Sequence, residues 1–285
     1  MKRQAIKRIA KVLGFLVILV ILFFVGENVA GATNEEEAKS FFQEPGFGVT
    51  TEALNLRNNA GKKIAMIPKG QEVFIKGICY NDFKRVWICW NGIKGTVLSN
   101  CIDKIVMYGI TTSELNQRDL DGNVLQCIPK GEIVIIKGQI DDQERVSVEW
   151  NSHEGSVLNE YIDRNFIFIN IEKQELTLYK DAKEILQSPT VTGTYGTSRE
   201  TPTGVFSIYA MSTKTTLRGP GYASYVEYWM PFYGGYGIHD ADGWRSNYGG
   251  EIYKTNGSHG CVNMPREYAK ILYENAYVGM NVKIE

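Results

Sequence analysis

The sequence has no surplus of either charge, no C-x-x-C pair, no H-E-x-x-H pair and no apolar run of membrane-spanning length. Each absence removes a class of function. Lys and Arg number 31 against 32 Asp and Glu, a net charge of −1, so there is no global basic field for nucleic acid and none is expected as a partner. Without C-x-x-C spacing a structural zinc ribbon is not expected, and no metal or other cofactor is implied. Hydrophobic residues at 44% and charged residues at 22% exclude a disordered or collagen-like chain. At roughly 100–200 residues per domain, the 285 residues make two domains, or three.

Charge is unevenly placed. Residues 1–32 hold Lys2, Arg3, Lys7, Arg8 and Lys11 but a single acid, Glu27, which leaves 26 − 31 = −5 for the remainder. The basic stretch leads into the apolar run Val12–Val25, and Ala30-Gly31-Ala32 supplies an A-x-A-like cleavage site. Fourteen residues fall short of the ~20 that span a bilayer comfortably, although extending to Ile9 with a snorkelling Lys11 gives an anchor. Residues 1–32 are therefore expected to be a signal peptide or membrane anchor. Either form puts the rest of the chain outside the cytoplasm, in the cell wall or on the outer face of the membrane. Residues 33–47, acidic at first and then carrying Pro45-Gly46, read as a linker. The odd count of five cysteines leaves at least one free thiol in that compartment. Cys79 and Cys89 flank a hairpin turn and are candidates to pair across it.

Sliding the sequence against itself by 61 residues exposes an internal repeat. Thr50-Thr51, Leu54-Asn55, Arg57, Gly61 and Ile67-Pro68-Lys69-Gly70 return as Thr111-Thr112, Leu115-Asn116, Arg118, Gly122 and Ile128-Pro129-Lys130-Gly131. One residue is then dropped, and Trp90-Asn91, Gly95 and Val97-Leu98 match Trp150-Asn151, Gly155 and Val157-Leu158. Each copy, 48–104 and 109–163, is a series of short β-branched runs broken by Gly, Asn and Asp, the pattern of a small all-β barrel. The residues Leu54-Asn55-x-Arg57, Pro68-x-Gly70 and Trp90 with Gly95-x-Val97 resemble bacterial SH3-like domains. Gln117 and Val148 replace Leu56 and Ile88 in the second copy. The resemblance implies wall-polymer binding or a spacer, both readings standing open. His153 reads as solvated or structural.

From Asn165 to Glu285 there is no third copy. Phe166–Ile171, Glu175–Tyr179, Ser188–Gly193, Gly204–Tyr209, Ala223–Phe232 and Asn281–Ile284 read as strands. Gly234–Gly237 and Asp240–Gly250 read as loops, and Pro265–Ala276 as a helix with Tyr268, Ile271, Leu272 and Ala276 on one face. The whole protein is thus expected to be mainly β, with one notable helix in its last domain.

That domain holds the constellation Ser258-His259-Gly260-Cys261-Val262-Asn263, preceded by Ile238-His239-Asp240. A cysteine nucleophile acts as thiolate, whereas an unperturbed thiol of pKa ~8.5 is mostly protonated at neutral pH. An imidazole on a separate segment, such as His239, can take that proton and hold the anion. The Asp240 carboxylate or its backbone carbonyl would fix the imidazole tautomer. Gly260 leaves room for a substrate backbone, the Gly260 and Cys261 N–H groups could hold an oxyanion, and a helix just beyond could add its dipole. Adjacent residues point apart on a strand, which gives His259 a structural or gating role rather than that of base. The layout suits acyl transfer.

A histidine, a spacer and [Ser/Thr]-His-Gly-Cys-x-Asn resemble the signature of L,D-transpeptidase catalytic domains of the YkuD type. Thr201-Pro202-Thr203-Gly204-x-Phe206, Tyr228-Trp229-Met230-Pro231-Phe232 and Asp240-Ala241-x-x-Trp244-Arg245 support the likeness. Asp240 stands where many members have glycine, and the spacer of 18 residues is slightly long. The resemblance implies a domain over 165–285 that works in peptidoglycan biosynthesis, wall biogenesis and cell shape. Cys261 would be nucleophile and His239 base and then acid. Peptidoglycan tetrapeptide stems would be acyl donors, and side-chain amines of neighbouring stems the acceptors. It further implies that Tyr228, Trp229 and Met230 shape the donor pocket, that Ser258, His259 and Asn263 shape the loop, and that carbapenem-type inhibitors acylate the same thiol. Trp244 and Arg245 are candidate substrate contacts. The alternatives are an L,D-carboxypeptidase, a zinc-dependent wall hydrolase using His239, Asp240, His259 and Cys261, or a wall-binding protein without activity.

Overall fold

The computed structural model describes residues 44–79, 82, 84–219 and 221–285. The export segment at 1–32 and the linker up to residue 43 lie outside the described residues. Among the described residues no helix is long and apolar enough to cross a membrane.

The first repeat folds into seven strands: β1 (Gly46–Thr50), β2 (Leu54–Arg57), β3 (Lys63–Ile67), β4 (Glu72–Ile78), β5 (Arg85–Trp90), β6 (Ile93–Leu98) and β7 (Ile102–Ile105). The second gives β8 (Met107–Thr111), β9 (Leu115–Arg118), β10 (Val124–Ile128), β11 (Ile133–Ile136), β12 (Arg145–Trp150), β13 (His153–Leu158) and β14 (Ile162–Asp163). Their sheets have the same order, β3-β2-β6-β5-β4-β1-β7 and β10-β9-β13-β12-β11-β8-β14. Both orders are linear, so the two units are open sheets with edge strands and not the closed barrels expected from the sequence.

The residues that recur between the copies build turns and cores. Thr50 and Thr111 each donate a hydroxyl hydrogen bond of 2.7 Å to the carbonyl of Pro68 or Pro129. Gly70 and Gly131 follow with φ of 78° and 84°, a backbone that side chains resist. Arg57 and Arg118 donate to the carbonyls of Gly61 and Gly122 at 2.9 and 2.7 Å, closing the next turn. The Leu56-to-Gln117 replacement buries an amide. Gln117 answers that cost by donating to the Val148 and His153 carbonyls at 3.0 and 3.1 Å and accepting from Gln126 at 2.7 Å. All five cysteines are free thiols, so Cys79 and Cys89 do not bridge. Cys101 instead donates to Glu52 at 2.6 Å, and burial together with that carboxylate pushes its thiol up to about 11.

The last domain is built from two sheets and a helix around one core. The first sheet runs β17 (Lys183–Pro189), β16 (Glu175–Lys180), β15 (Phe166–Asn170), β23 (Asn281–Ile284), β18 (Gly204–Ser207), with the closing strand β23 parallel to β15. The second runs β19 (Ser212–Gly219), β20 (Tyr222–Tyr233), β21 (Tyr236–Asp240), β22 (Val262–Met264), its last pair parallel. Ile167, Ile169, Leu176 and Leu178 of one sheet meet Met230, Ile238, Val262 and Met264 of the other.

Helix α1 (Ile252–Asn256) and strand β19 are absent from the sequence reading, and β21 occupies the stretch read partly as loop. Helix α2 (Arg266–Asn275) seats Ala269 and Leu272 in the core. Ile271, expected on the buried face, is 41% exposed. Residues 190–193 make only isolated bridges, because Val191 pairs with Asn263 and Gly193 with Ser258 across the domain.

The second repeat and the last domain share apolar surface. Ala182, in the β16–β17 turn, is buried in the core of the second repeat, and its carbonyl accepts from Tyr108 N–H at 2.7 Å. Phe166 stacks on Tyr179 at 4.6 Å, and both pack with Ile110, Tyr108 and Ile133 of the repeat. A chain of residues 164–285 is therefore expected to melt at a lower temperature than one of residues 107–285, because the cut exposes Phe166 and Tyr179 to water. Equal melting temperatures would show that this contact contributes nothing.

Candidate active site

Parallel pairing of β21 with β22 assembles the site. The register sets Ile238 against Val262 and His239 against Asn263, so Cys261 lies at the entry to β22 and lines the same cavity as His239. A parallel pair cannot be joined by a tight turn and needs a crossover of a dozen residues or more. Residues 241–261 are that crossover, which is why the motif is split by a long spacer. His239, Cys261, Ser258, His259, Asn263, Trp244 and Arg245 all line one cavity of about 260 Å³.

The His239 ring is buried, with Nδ1 2.9 Å from the Asp240 carbonyl oxygen. That carbonyl can only accept, so Nδ1 carries the proton and Nε2 keeps its lone pair. Trp229 and Trp244 tilt against the imidazole at 5.7 and 5.9 Å between ring centroids. Burial pushes the imidazole below its ordinary range, against the opposing pull of the Asp240 carbonyl and carboxylate. Burial likewise pushes the Cys261 thiol up, with a backbone hydrogen bond from Gly237 pulling the other way. Both shifts run toward the neutral forms and against a ready-made thiolate.

Asp240 divides its functions. Its carbonyl orients His239, while its buried carboxylate accepts from Tyr228 N–H at 2.9 Å and Arg266 Nε at 3.2 Å. The side chain is thus turned away from the imidazole, and the carbonyl is the orienting group. Arg266 opens α2, where the positive end of the helix disfavours a cation. Asp240 and Asp242 offset this, the latter accepting from Arg266 N–H at 3.1 Å. The helix itself starts after β22, and its first N–H is taken by Asp242 and not by Cys261.

The loop before Cys261 is pinned from within. Ser258 Oγ donates to the Cys261 carbonyl and accepts from Gly260 N–H at 3.0 Å. That commitment removes Gly260 N–H from the expected oxyanion pair. Gly260 has φ 111°, and a Cβ there would lie 2.1 Å from the Tyr236 ring. Glycine is required by that ring and backbone, and the space on its Cβ side is filled by Tyr236 rather than left for substrate. Thr201 donates to the Gly260 carbonyl at 2.9 Å and accepts from Gly193 N–H at 2.9 Å, which gives the Thr201-Pro202 element its place.

Strand alternation sorts the aromatic run. Trp229 faces His239, but Met230 is wholly buried in the core and Tyr228 packs on Tyr273 of α2. Three consecutive strand residues cannot share one pocket, and none of the three lines the cavity: Tyr228 and Met230 leave the expected donor site, and Trp229 backs the imidazole instead. Their places are taken by Leu217, Tyr222 and Ser224 of the β19–β20 hairpin, which sequence reasoning missed. His259 is exposed and meets Tyr222 edge-on at 5.1 Å, consistent with a gating or structural position. Among the described residues no three His, Cys, Asp or Glu side chains converge as metal ligands.

Three outcomes follow. Because the thiol is raised and the imidazole lowered, iodoacetamide alkylation of Cys261 should climb with pH through a midpoint above the ordinary ~8.5 of a thiol. A reactive plateau persisting to pH 6 would show a resting ion pair instead. Asp240→Asn keeps the carbonyl, so its acylation rate should stay well clear of the ~10²-fold or greater loss expected for His239→Ala. Arg266→Gln should destabilise the fold by about 2 kcal/mol in urea melts, since it strands a buried carboxylate.

Residues 164–284 match the family model described as YkuD, an L,D-transpeptidase catalytic domain. No curated protein matches the chain. Among solved structures, the catalytic domain of Enterococcus faecium L,D-transpeptidase acylated by ertapenem is 38% identical, spans 43% of this chain and 97% of its own, and gives a TM-score of 0.39. A mutant of Enterococcus faecium L,D-transpeptidase is 25% identical over 62% of this chain and 76% of its own, with a TM-score of 0.43. An L,D-transpeptidase from Mycobacterium tuberculosis H37Rv is 18% identical over 63% and 79%, with a TM-score of 0.39. Through residues 164–284 the chain belongs to the YkuD family of L,D-transpeptidases.

Proposed function

We propose that the protein is an extracytoplasmic L,D-transpeptidase that cross-links or remodels peptidoglycan through a thioester on Cys261. One observation carries this reading. An imidazole whose Nδ1 proton is fixed on a backbone carbonyl keeps a lone pair on Nε2, and it lines the cavity that also holds the only cysteine of the site. Zinc chemistry is a poorer fit, because the Asp240 carboxylate is spent on Arg266 and Tyr228 while His259 lies on the exposed rim.

The donor in this reading is a tetrapeptide stem. As the acyl carbon arrives, Cys261 Sγ attacks it and the thiol proton passes to His239 Nε2. The carbonyl oxygen becomes an oxyanion, and the Cys261 N–H is the donor we assign to it. Collapse breaks the C–N bond, the Nε2 proton goes to the departing amine, and a thioester remains. A side-chain amine of a neighbouring stem then attacks the thioester and gives a proton to Nε2, which returns it to the leaving thiolate. One amide replaces another, so no ATP is needed. With Nδ1 held by the Asp240 carbonyl, Nε2 is free to accept a proton at both attacks.

Residues 1–32 support export or anchoring, which would put the enzyme where stems are. The repeats, which we read as SH3-like modules, would hold the catalytic domain over the wall or bind its polymer. Their shared residues mostly make turns, which favours the spacer reading.

Incubation with a carbapenem should add one covalent adduct to the intact protein by mass spectrometry, on Cys261. Cys261→Ala should show none, and Cys261→Ser should be nearly inactive because its hydroxyl is far less acidic. An adduct on the Ala variant or on Cys79 would overturn the assignment.

A further inference from the structure

We propose that Arg245 reads the free α-carboxylate at the end of the donor stem and thereby sets the length of stem that Cys261 accepts. The proposal rests on the transpeptidase reading above and adds the group that recognises the departing residue.

Arg245 lines the catalytic cavity, and among the described residues it is the only lysine or arginine there. Among the described residues no aspartate or glutamate lines that cavity, and no salt bridge engages Arg245. A guanidinium has five N–H donors and no acceptor. Its Nη1 is held by the Asn256 carbonyl at 3.0 Å. Its Nε is buried without a hydrogen-bond partner, one of two such side-chain atoms among the described residues. An orphaned, buried donor costs free energy that a bound acceptor would recover. With Nη1 committed, the remaining Nε–Nη2 edge is a fork that matches the two oxygens of a carboxylate. Burial also pulls this guanidinium below its ordinary range, as an unpaired cation awaiting an anion would be.

The charge is rigidly placed. Arg245 N–H and Trp244 N–H both donate to the Ala241 carbonyl, at 2.9 and 3.0 Å, and the Tyr248 hydroxyl donates to Asp242 at 2.7 Å. Backbone and Nη1 are thus fixed at opposite ends of the side chain. A fixed cation in the same cavity as a fixed nucleophile works as a ruler. A donor with one residue beyond the scissile bond carries its carboxylate on that residue. One further residue would move the carboxylate by roughly 3.5 Å, and an amidated end would remove the charge.

The test follows the first half-reaction, acyl-enzyme formation without an acceptor, with three synthetic stems: a tetrapeptide acid, the same tetrapeptide amidated, and a pentapeptide acid. The wild type should acylate with the tetrapeptide acid roughly 10- to 100-fold faster than with the amide or the pentapeptide. Arg245→Gln should bring acid and amide to the same rate, and Arg245→Lys should restore part of the preference as a point charge. Alkylation of Cys261 by iodoacetate against iodoacetamide supplies a readout independent of stems, and Arg245→Gln should lower that ratio by roughly fivefold. If stems are processed without an acid preference, or Arg245→Gln slows acid and amide in proportion, the proposal is overturned and the transpeptidase reading stands. If no stem acylates the wild type yet the iodoacetate ratio falls in Arg245→Gln, the transpeptidase reading fails and the carboxylate site is supported.

Discussion

His239 and Cys261 come together because β21 and β22 run parallel, and most of the catalytic domain serves that pairing. The two strands share a register that sets His239 opposite Asn263, with Val262 and Ile238 fixed in the core beneath. Antiparallel neighbours could have been linked by two residues, but a parallel pair forces the chain to travel back across the face of the sheet. The return path becomes the cavity wall. It contributes Trp244 against the imidazole, Arg245, α1 and the Asn256–Ser258 segment. A topological requirement of the sheet thus supplies the walls of the pocket without any dedicated insertion.

A second constraint acts from below. Asp240 is buried, and a buried carboxylate persists only where hydrogen bonds and a counter-charge replace water. Tyr228 N–H and Arg266 satisfy it, tying β20, β21 and the start of α2 into one unit. With the carboxylate occupied, the Asp240 carbonyl is left pointing at Nδ1. The imidazole is then oriented by a dipole rather than by a full negative charge. Burial against two tryptophans pushes the imidazole below its ordinary range, and a carbonyl opposes that push less than a carboxylate partner would. In the proposed cycle the lone pair left on Nε2 takes a proton twice per turnover.

Much of this was legible in the sequence, and the misses share a cause. Ser258 to Asn263 and His239 could be read because nucleophile and base chemistry restricts residue type and order. The repeat was legible because turns demand glycine, asparagine and proline at fixed offsets. What the sequence did not show was which face each residue takes. Tyr228 and Met230 were placed in the pocket with Trp229, yet the alternation of β20 sends them to the core. Gly260 was read as open space and proves to be filled by Tyr236. Tyr222 and Leu217 lie on a hairpin whose β19 arm, Ser212–Gly219, is rich in threonine and polar residues and gives little apolar periodicity. Arg266 did leave a signal, since a cation at the first position of a helix contradicts the helix dipole. Such a local violation is where a tertiary partner should be sought.

The repeats bear on catalysis through packing. Ala182 enters the core of the second repeat, and Phe166 and Tyr179 are buried against it, on β15 and β16 of the same sheet that carries Ile167, Ile169, Leu176 and Leu178 on its other side. That inner face in turn packs against Ile238 and Val262, the residues beneath His239 and Cys261. Close-packed interiors transmit displacement because they hold few voids. The catalytic strands therefore rest on a sheet whose outer face is covered by the second repeat. This makes the repeat a structural wall of the enzyme as well as whatever it is to the polymer outside.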